Sequence, residues 1–321
     1  MASEEDRFDI VGIGASTVDV LSRVDHLPAM DEVMQAREMV LQGGGPVSTA
    51  LVTAARLGAR TAMLDAIGDD WRGDQVRAGF HAEGVETRHL RIRPGATTAT
   101  SCILVEATRG ARSIVYAPGD AAELRPEEVP LEVIRRARSL HLNGRHLAAC
   151  AAAIPVARSA GALISFDGGA GRHRPELAPL LEQVDLCVVA ADFARRHTGL
   201  EDPHAAAEAL LARGARIAVV TLGEAGSVAH SRAGEAFHQP AFRFPHTVDT
   251  TGCGDSYHGA LLFALLRGEP LRQATALASA VAGLNSQRLG GRAGLPTMAE
   301  AAALLASADG RQPTTSANTG K

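Results

Sequence analysis

The chain has 321 residues, 46% hydrophobic and 21% charged, the proportions of a globular protein, which exclude wholesale disorder and a fibrous repeat. Lys plus Arg number 32 against 36 Asp plus Glu, a net charge of −4 without the basic excess of a protein that grips nucleic acid. Apolar runs such as Ala260–Leu266 fall far short of the roughly 18 residues of a membrane span, and the four cysteines form no C-x-x-C pair suggestive of zinc or a disulfide framework.

Phe8–Gly14 reads as a short buried strand running into a glycine turn. Residues 18–42 hold strand-like runs without a helix. Helical spacing then appears over Ser48–Leu57, a strand over Thr61–Ile67, and a helix over Asp74–Ala82. Residues 97–116 again lack a helix. Within them Ser101–Val105 and Ser113–Tyr116 bracket a Thr-Arg-Gly-Ala-Arg turn, the pattern of a hairpin. Strands at Ser139–Leu142, Ala162–Phe166, Leu186–Val189 and Ile217–Thr221 then alternate with helices at Ala148–Ser159, His204–Ala212 and Ser256–Arg267. This alternation predicts an α/β fold with right-handed βαβ units, its mostly parallel central sheet covered by helices on both faces. The two helix-free segments predict a small projecting sheet. One domain is expected over residues 1–306, followed by a polar, disordered tail at 307–321. Glu4, Glu5 and Asp6 stand where a signal peptide would be basic and then apolar, so the expectation is a cytoplasmic protein with no membrane and no nucleic-acid partner.

The most specific stretch is Val248-Asp249-Thr250-Thr251-Gly252-Cys253-Gly254-Asp255, which opens a strongly apolar helix. Glycines at a helix start expose unpaired N–H groups, and the helix dipole adds partial positive charge, which together make an anion hole. Asp255 falls in the first turn, where it could accept a proton from a hydroxyl during phosphoryl transfer. An aspartate there could equally cap the helix. Spacing alone leaves both readings open.

Asp-Thr-Thr-Gly-Cys-Gly-Asp resembles the C-terminal signature of the ribokinase-like (PfkB) carbohydrate kinases, with Cys253 in place of the usual Ala. Gly43-Gly44-Gly45-Pro46-Val47-Ser48-Thr49-Ala50, followed by Ala55-Arg56-Leu57-Gly58, is similar to the family's N-terminal Gly-Gly signature. Three weaker matches come in the family's order, at Ile67–Asp74, Val219–Gly226 and Gly290–Pro296. The resemblance covers roughly residues 8–305 and implies a ribokinase-like fold whose small sheet is a lid, closing over the substrate and often pairing two subunits into a homodimer.

It also implies roles for individual residues. Asp255 would be the general base, and the amides of Gly252, Cys253 and Gly254 would stabilise the transferring phosphoryl group. Asp19 would bond sugar hydroxyls, with Gly44, Gly45 and Thr49 beside it. Thr221, Gly223 and Gly226 would form the nucleotide turn, although the same residues make an ordinary strand-to-hairpin turn. The segment from Ser279 to Asn285 would lie against adenine. Asp249 and Thr251 would help hold a monovalent cation such as K⁺, and the cofactors would be ATP and Mg²⁺. For Asp69 and Asp70 a turn or helix cap is the better reading.

Two departures bear on function. Thr49 replaces the usual Asn of the Gly-Gly signature. The family's Asn-x-x-Glu element should fall at Ala190-Ala191-Asp192-Phe193, where neither residue is present, so Asp192 would be a partial substitute in placing Mg²⁺. Segments near Gly43, His238 and Gly290 are most similar to sulfofructose kinases, and the Gly291-Arg292 pair resembles ketohexokinases. Both imply a ketose phosphorylated on a primary hydroxyl. Arg145, at a strand end facing the cleft, could hold an anionic substituent of that ketose or could pair with Asp167 or Glu86. The alternatives are a nucleoside kinase of the same fold and a non-catalytic binding protein. A hydride-transferring enzyme is disfavoured, because Thr17 replaces the third glycine of a dinucleotide turn at Gly12–Thr17.

Overall fold

The computed structural model describes residues 7–309. The chain opens with β1 (Ile10–Ile13), then leaves for an antiparallel pair, β2 (Thr17–Val24) and β3 (Glu38–Gly44), before α1 (Pro46–Arg56) returns it to β4 (Thr61–Leu64). A two-stranded annex follows, in which β5 (Ala66–Gly68) pairs in parallel with β6 (Arg91–Arg93) across α2 (Trp71–Ala82). β7 (Thr100–Glu106) and β8 (Arg112–Ala117) then rejoin the projecting sheet.

From α3 (Leu131–Arg136) onward, strands and helices alternate. They are β9 (Ser139–Leu142), α4 (Leu147–Ser159), β10 (Leu163–Gly168), α5 (Ala178–Leu181), β11 (Leu186–Ala190), α6 (Ala191–Thr198), α7 (Pro203–Ala212) and β12 (Ile217–Thr221). An antiparallel edge of β13 (Ser227–Ser231) and β14 (Ala236–Gln239) precedes α8 (Cys253–Leu266), α9 (Leu271–Asn285) and α10 (Met298–Asp309).

The central sheet runs β14-β13-β12-β11-β10-β9-β1-β4, parallel from β12 to β4. Side chains alternate across it, as the pleat requires. Val11, Ile13, Leu140, Leu142, Ile164 and Phe166 pack on one face, with Cys150, Ala153 and Ile154 of α4. Ile10, Met63, Leu186, Val188 and Val219 pack on the other, with Val47 and Leu51 of α1 and Ala260, Leu261 and Ala264 of α8. Abundant alanine lets these helices lie close to the strands.

The projecting sheet runs β3-β2-β7-β8. Register places Gln42, Asp19, Ser101 and Tyr116 in one row across it, and Leu41, Val20, Cys102 and Val115 in the adjacent row on the opposite face. The first face looks into the main body.

Two boundaries differ from expectation. The strand expected over Thr61–Ile67 is two strands, broken at buried Asp65. Its carboxylate accepts the Ser16 and Ala66 N–H groups at 2.6 and 2.7 Å and faces His146 Nε2 at 2.7 Å, and these bonds turn the chain out of the central sheet. The expected tail beginning at residue 307 is helical through Asp309, where α10 ends; the remainder of that tail, 310–321, lies outside the described residues. Asp70 caps α2, accepting the Gly73 N–H at 3.0 Å, and Asp69 accepts the Gly95 N–H in a turn.

Candidate active site

The carboxyl ends of the parallel strands face the inner row of the projecting sheet, and the cleft between them is where an open α/β sheet binds ligands. Asp19 stands in that row, 6% exposed. Burial raises its carboxyl above the ordinary range, and hydrogen bonds from Thr17, at 2.7 Å, and Ser101 work against the rise. Gly44 sits directly behind it. A Cβ there would overlap the Asp19 carboxylate, so glycine is required.

Arg292 is the residue that the sequence reading left without a role. Its guanidinium is buried and donates to Ser48 Oγ at 2.7 Å, Gly44 O at 3.0 Å and Thr49 Oγ1 at 3.2 Å. Its own N–H donates to Gln42 Oε1. Burial lowers its pKa to about 10, with the charges of Asp19 and Asp255 opposing the fall, so it is a cation at neutral pH. Thr49, expected at the sugar, thus supports Arg292. The Gly290-Gly291-Arg292 run was a visible signal, but only the fold shows it inserting beside the Gly-Gly turn.

The anion loop is braced from behind. Asp249 accepts the N–H and Oγ–H of Thr251 at 2.8 and 2.7 Å and the Gly290 N–H at 2.8 Å. Asn285 is fully buried there, donating to Gly291 O at 3.0 Å and Thr251 O at 3.4 Å. It braces the loop. Gly252 has a left-handed φ of 71°, and its Cβ would come 2.6 Å from Gly291 O, so no other residue fits.

The Cys253 N–H turns back to Thr250 O and the Ser256 N–H begins α8 on Gly252 O, which leaves the Gly254 and Asp255 amides free at the helix start. A Cβ on Gly254 would meet no chain atom within 4 Å: the space beside this amide is open. The Cys253 thiol is pushed up to about 12 by burial and is not a nucleophile. Among the described residues α8 has no side-chain cap, so the capping reading of Asp255 fails. Its carboxylate stands partly exposed in the first turn, beside open amides and opposite Arg292.

The remaining expected residues divide. Thr221, Gly223 and Gly226 form the β12–β13 turn, with the Leu222 N–H bonded to Gly226 O at 2.8 Å and both glycines at positive φ. Ser279 donates to Pro240 O at 3.1 Å and ties α9 to the segment after β14. Gly45 precedes α1 as its N-cap. Arg145 lies at the end of β9 as expected, but its partner is Glu123, at 3.0 Å, not Asp167 or Glu86. Arg112, on β8, was not anticipated; it donates to Thr250 Oγ1 at 2.6 Å and pins the projecting sheet to the anion loop.

The donor set offers Mg²⁺ little. Asp192 Oδ1 accepts from Arg195 and Arg196 and Oδ2 from the Gly171 N–H, so the acidic side chain at the family's Asn-x-x-Glu position is already committed. Likewise Asp249 and Thr251, expected at a monovalent cation, bond to each other and brace the loop.

A family model described as pfkB family carbohydrate kinase matches residues 7–298. A nucleoside kinase of Methanothermobacter thermautotrophicus is 27% identical over 96% of this chain and 99% of that relative. A probable fructokinase-3 of Arabidopsis thaliana is 27% identical over 90% of each. The crystal structure of a putative ribokinase from Agrobacterium tumefaciens superposes with a TM-score of 0.84 at 27% identity, over 95% of this chain and all of that one. Structures of the same fold solved with ribose and ATP, and with ATP and Mg²⁺, are 22% and 21% identical.

Proposed function

The chain belongs to the pfkB family of carbohydrate kinases, and from that premise we propose that it transfers the γ-phosphoryl group of ATP to a primary hydroxyl of a neutral ketose. The observation that carries this reading is the uncapped Asp255 carboxylate beside the open Gly254 amide. The sugar hydroxyl attacks the γ-phosphorus as the bond to the β-phosphate oxygen breaks; its proton passes to Asp255, and ADP leaves. Asp255 supplies the general base. The α8 amides and the helix dipole stabilise negative charge on the phosphoryl oxygens. Asp19 and Arg292 orient the sugar, and the projecting sheet excludes water that would compete as acceptor. The β12–β13 turn with Ser279 is the nucleotide side of the cleft. Mg²⁺ travels with the phosphates and water, as the committed Asp192 suggests.

Neutral substrates are favoured because Glu123 already answers the Arg145 charge. A nucleoside acceptor is the second reading; the half-exposed Tyr116 ring in the inner row could stack on a base, and one relative is a nucleoside kinase. The outer face of the lid, with Val115 73% and Met39 66% exposed, supports a homodimer joined through it. Among the described residues no helix is long and apolar enough to cross a membrane.

ADP release measured over fructose, other ketoses, ribose, sulfonated and phosphorylated ketoses and adenosine tests the assignment. The highest kcat/KM should belong to a neutral ketose. Preference for adenosine would establish the second reading, preference for a charged ketose would reinstate Arg145 as an anion contact, and no turnover with any acceptor would end the kinase proposal.

A further inference from the structure

A polar island interrupts the apolar layer between the central sheet and α8. Ser165 of β10 pairs in register with His141 of β9, and Asp167 follows two residues on, so all three side chains share the face that α8 covers. His258 descends onto them from α8, one turn beyond Asp255. Both histidines are fully buried and Asp167 is 6% exposed. The two imidazoles meet edge to face, their centroids 4.4 Å apart. Ser165 Oγ sits between them, 2.7 Å from His258 Nε2 and 3.3 Å from His141 Nδ1.

One polar atom on each residue is left over. His141 Nε2, His258 Nδ1 and Asp167 Oδ2 are buried without a hydrogen-bond partner. A possible ligand atom from each residue lies within 4.8 Å of the other two. Buried polar atoms carry their full desolvation cost unless something engages them.

We propose that His141, Asp167 and His258 form a binding site for one divalent transition-metal ion of the zinc class, distinct from the Mg²⁺ that accompanies ATP. Two imidazoles and a carboxylate suit zinc and its neighbours, whereas Mg²⁺ demands an octahedron of oxygens. Ser165 makes the pair of histidines ready. A neutral imidazole carries one N–H and one lone pair, and a hydroxyl oxygen can accept two hydrogen bonds. When Ser165 Oγ accepts from both His141 Nδ1–H and His258 Nε2–H, both lone pairs fall on the orphaned nitrogens. Outer-shell bonds of this kind set the tautomer of metal-binding histidines. The bound ion would tie β9, β10 and α8 together behind Asp255.

The test uses the full chain, stripped with a chelator and titrated with Zn²⁺ against a chromophoric chelator, and with Co²⁺ followed by its visible absorption. The expected result is one saturable equivalent per chain, a Co²⁺ spectrum of low coordination number, a rise in Tm with Zn²⁺ and no competition from excess Mg²⁺. His141→Gln, His258→Gln and Asp167→Asn should each abolish that equivalent. Ser165→Ala keeps all three ligands and should weaken the affinity by about 10- to 100-fold. Should the ligand variants fail to fold, the wild-type spectrum and Ser165→Ala still decide. Absence of a saturable equivalent overturns the site, and so does affinity unchanged in Ser165→Ala and the ligand variants, which would place the zinc on surface histidines.

Discussion

The central and projecting sheets are both made of apolar strands, yet they bury different numbers of faces. Every residue of β1, β4 and β9 is buried, because helices cover both sides. β8 is exposed along its whole length. The projecting sheet has one small apolar cluster, in which Val40, Leu21, Ile103 and Val105 pack with Leu289, and its other face meets solvent. The difference assigns labour. Under the function proposed here, phosphate falls to α8, fixed on a sheet buried on both faces, and the sugar to Asp19, on a sheet that can shift without opening the main core.

Substitutions can break this comparison or sharpen it. The largest effect should come from the rigid side, where Asp255→Asn keeps size and removes proton affinity; kcat should fall by about 10²- to 10⁴-fold, with ATP affinity little changed in a binding titration. Next is the core under it. Leu140→Ala, at a fully buried position, should cost about 2–5 kcal/mol in urea unfolding. Arg292→Lys, at the junction of the two sheets, should lower kcat/KM by roughly 10²-fold, since hydrogen bonds involving a charged group are worth about 1.5–3 kcal/mol and an ammonium lacks the guanidinium fork.

Two neighbouring glycines separate stability from chemistry. Gly252→Ala should destabilise the fold by about 1–2 kcal/mol from its left-handed φ alone, with the overlap on Gly291 adding to that. Gly254→Ala should leave Tm unchanged and slow turnover by about 10- to 100-fold, because its methyl meets no chain atom and occupies only the reacting space. The smallest stability effect belongs to the lid. Val115→Asp on the outer row should stay within about 0.5 kcal/mol of wild type while converting a dimer to a monomer in light scattering. A wild-type monomer would remove the reason for that exposed row.

Sequence alone determined the α/β alternation, the helix-free segments that became the projecting sheet, and the loop before α8. Each is written locally, in hydrophobic period, in turn residues and in glycines that must take unusual backbone angles or make close approaches. The helices α9 and α10 and the break at Asp65 were not legible. The break depends on Ser16 and His146, 49 and 81 residues away, and no local pattern carries such partners.

The site divided in the same way. Asp255 was singled out from its own surroundings in the chain, and Asp19 and Gly44 from the motifs that carry the family resemblance. Arg292 was missed, the loop-bracing bonds of Asn285 were not foreseen, and for Arg145 the carboxylates considered were not the one it meets. For these residues the role is decided by what stands opposite. Gly44 O and Ser48 receive the Arg292 guanidinium across 248 and 244 positions, and Glu123 meets Arg145 from beyond α3 and β9. Local conformation is fixed by near neighbours and can be read along the chain; a buried charge must find its partners wherever the packed layers bring them, and only the tertiary structure says which ones arrive.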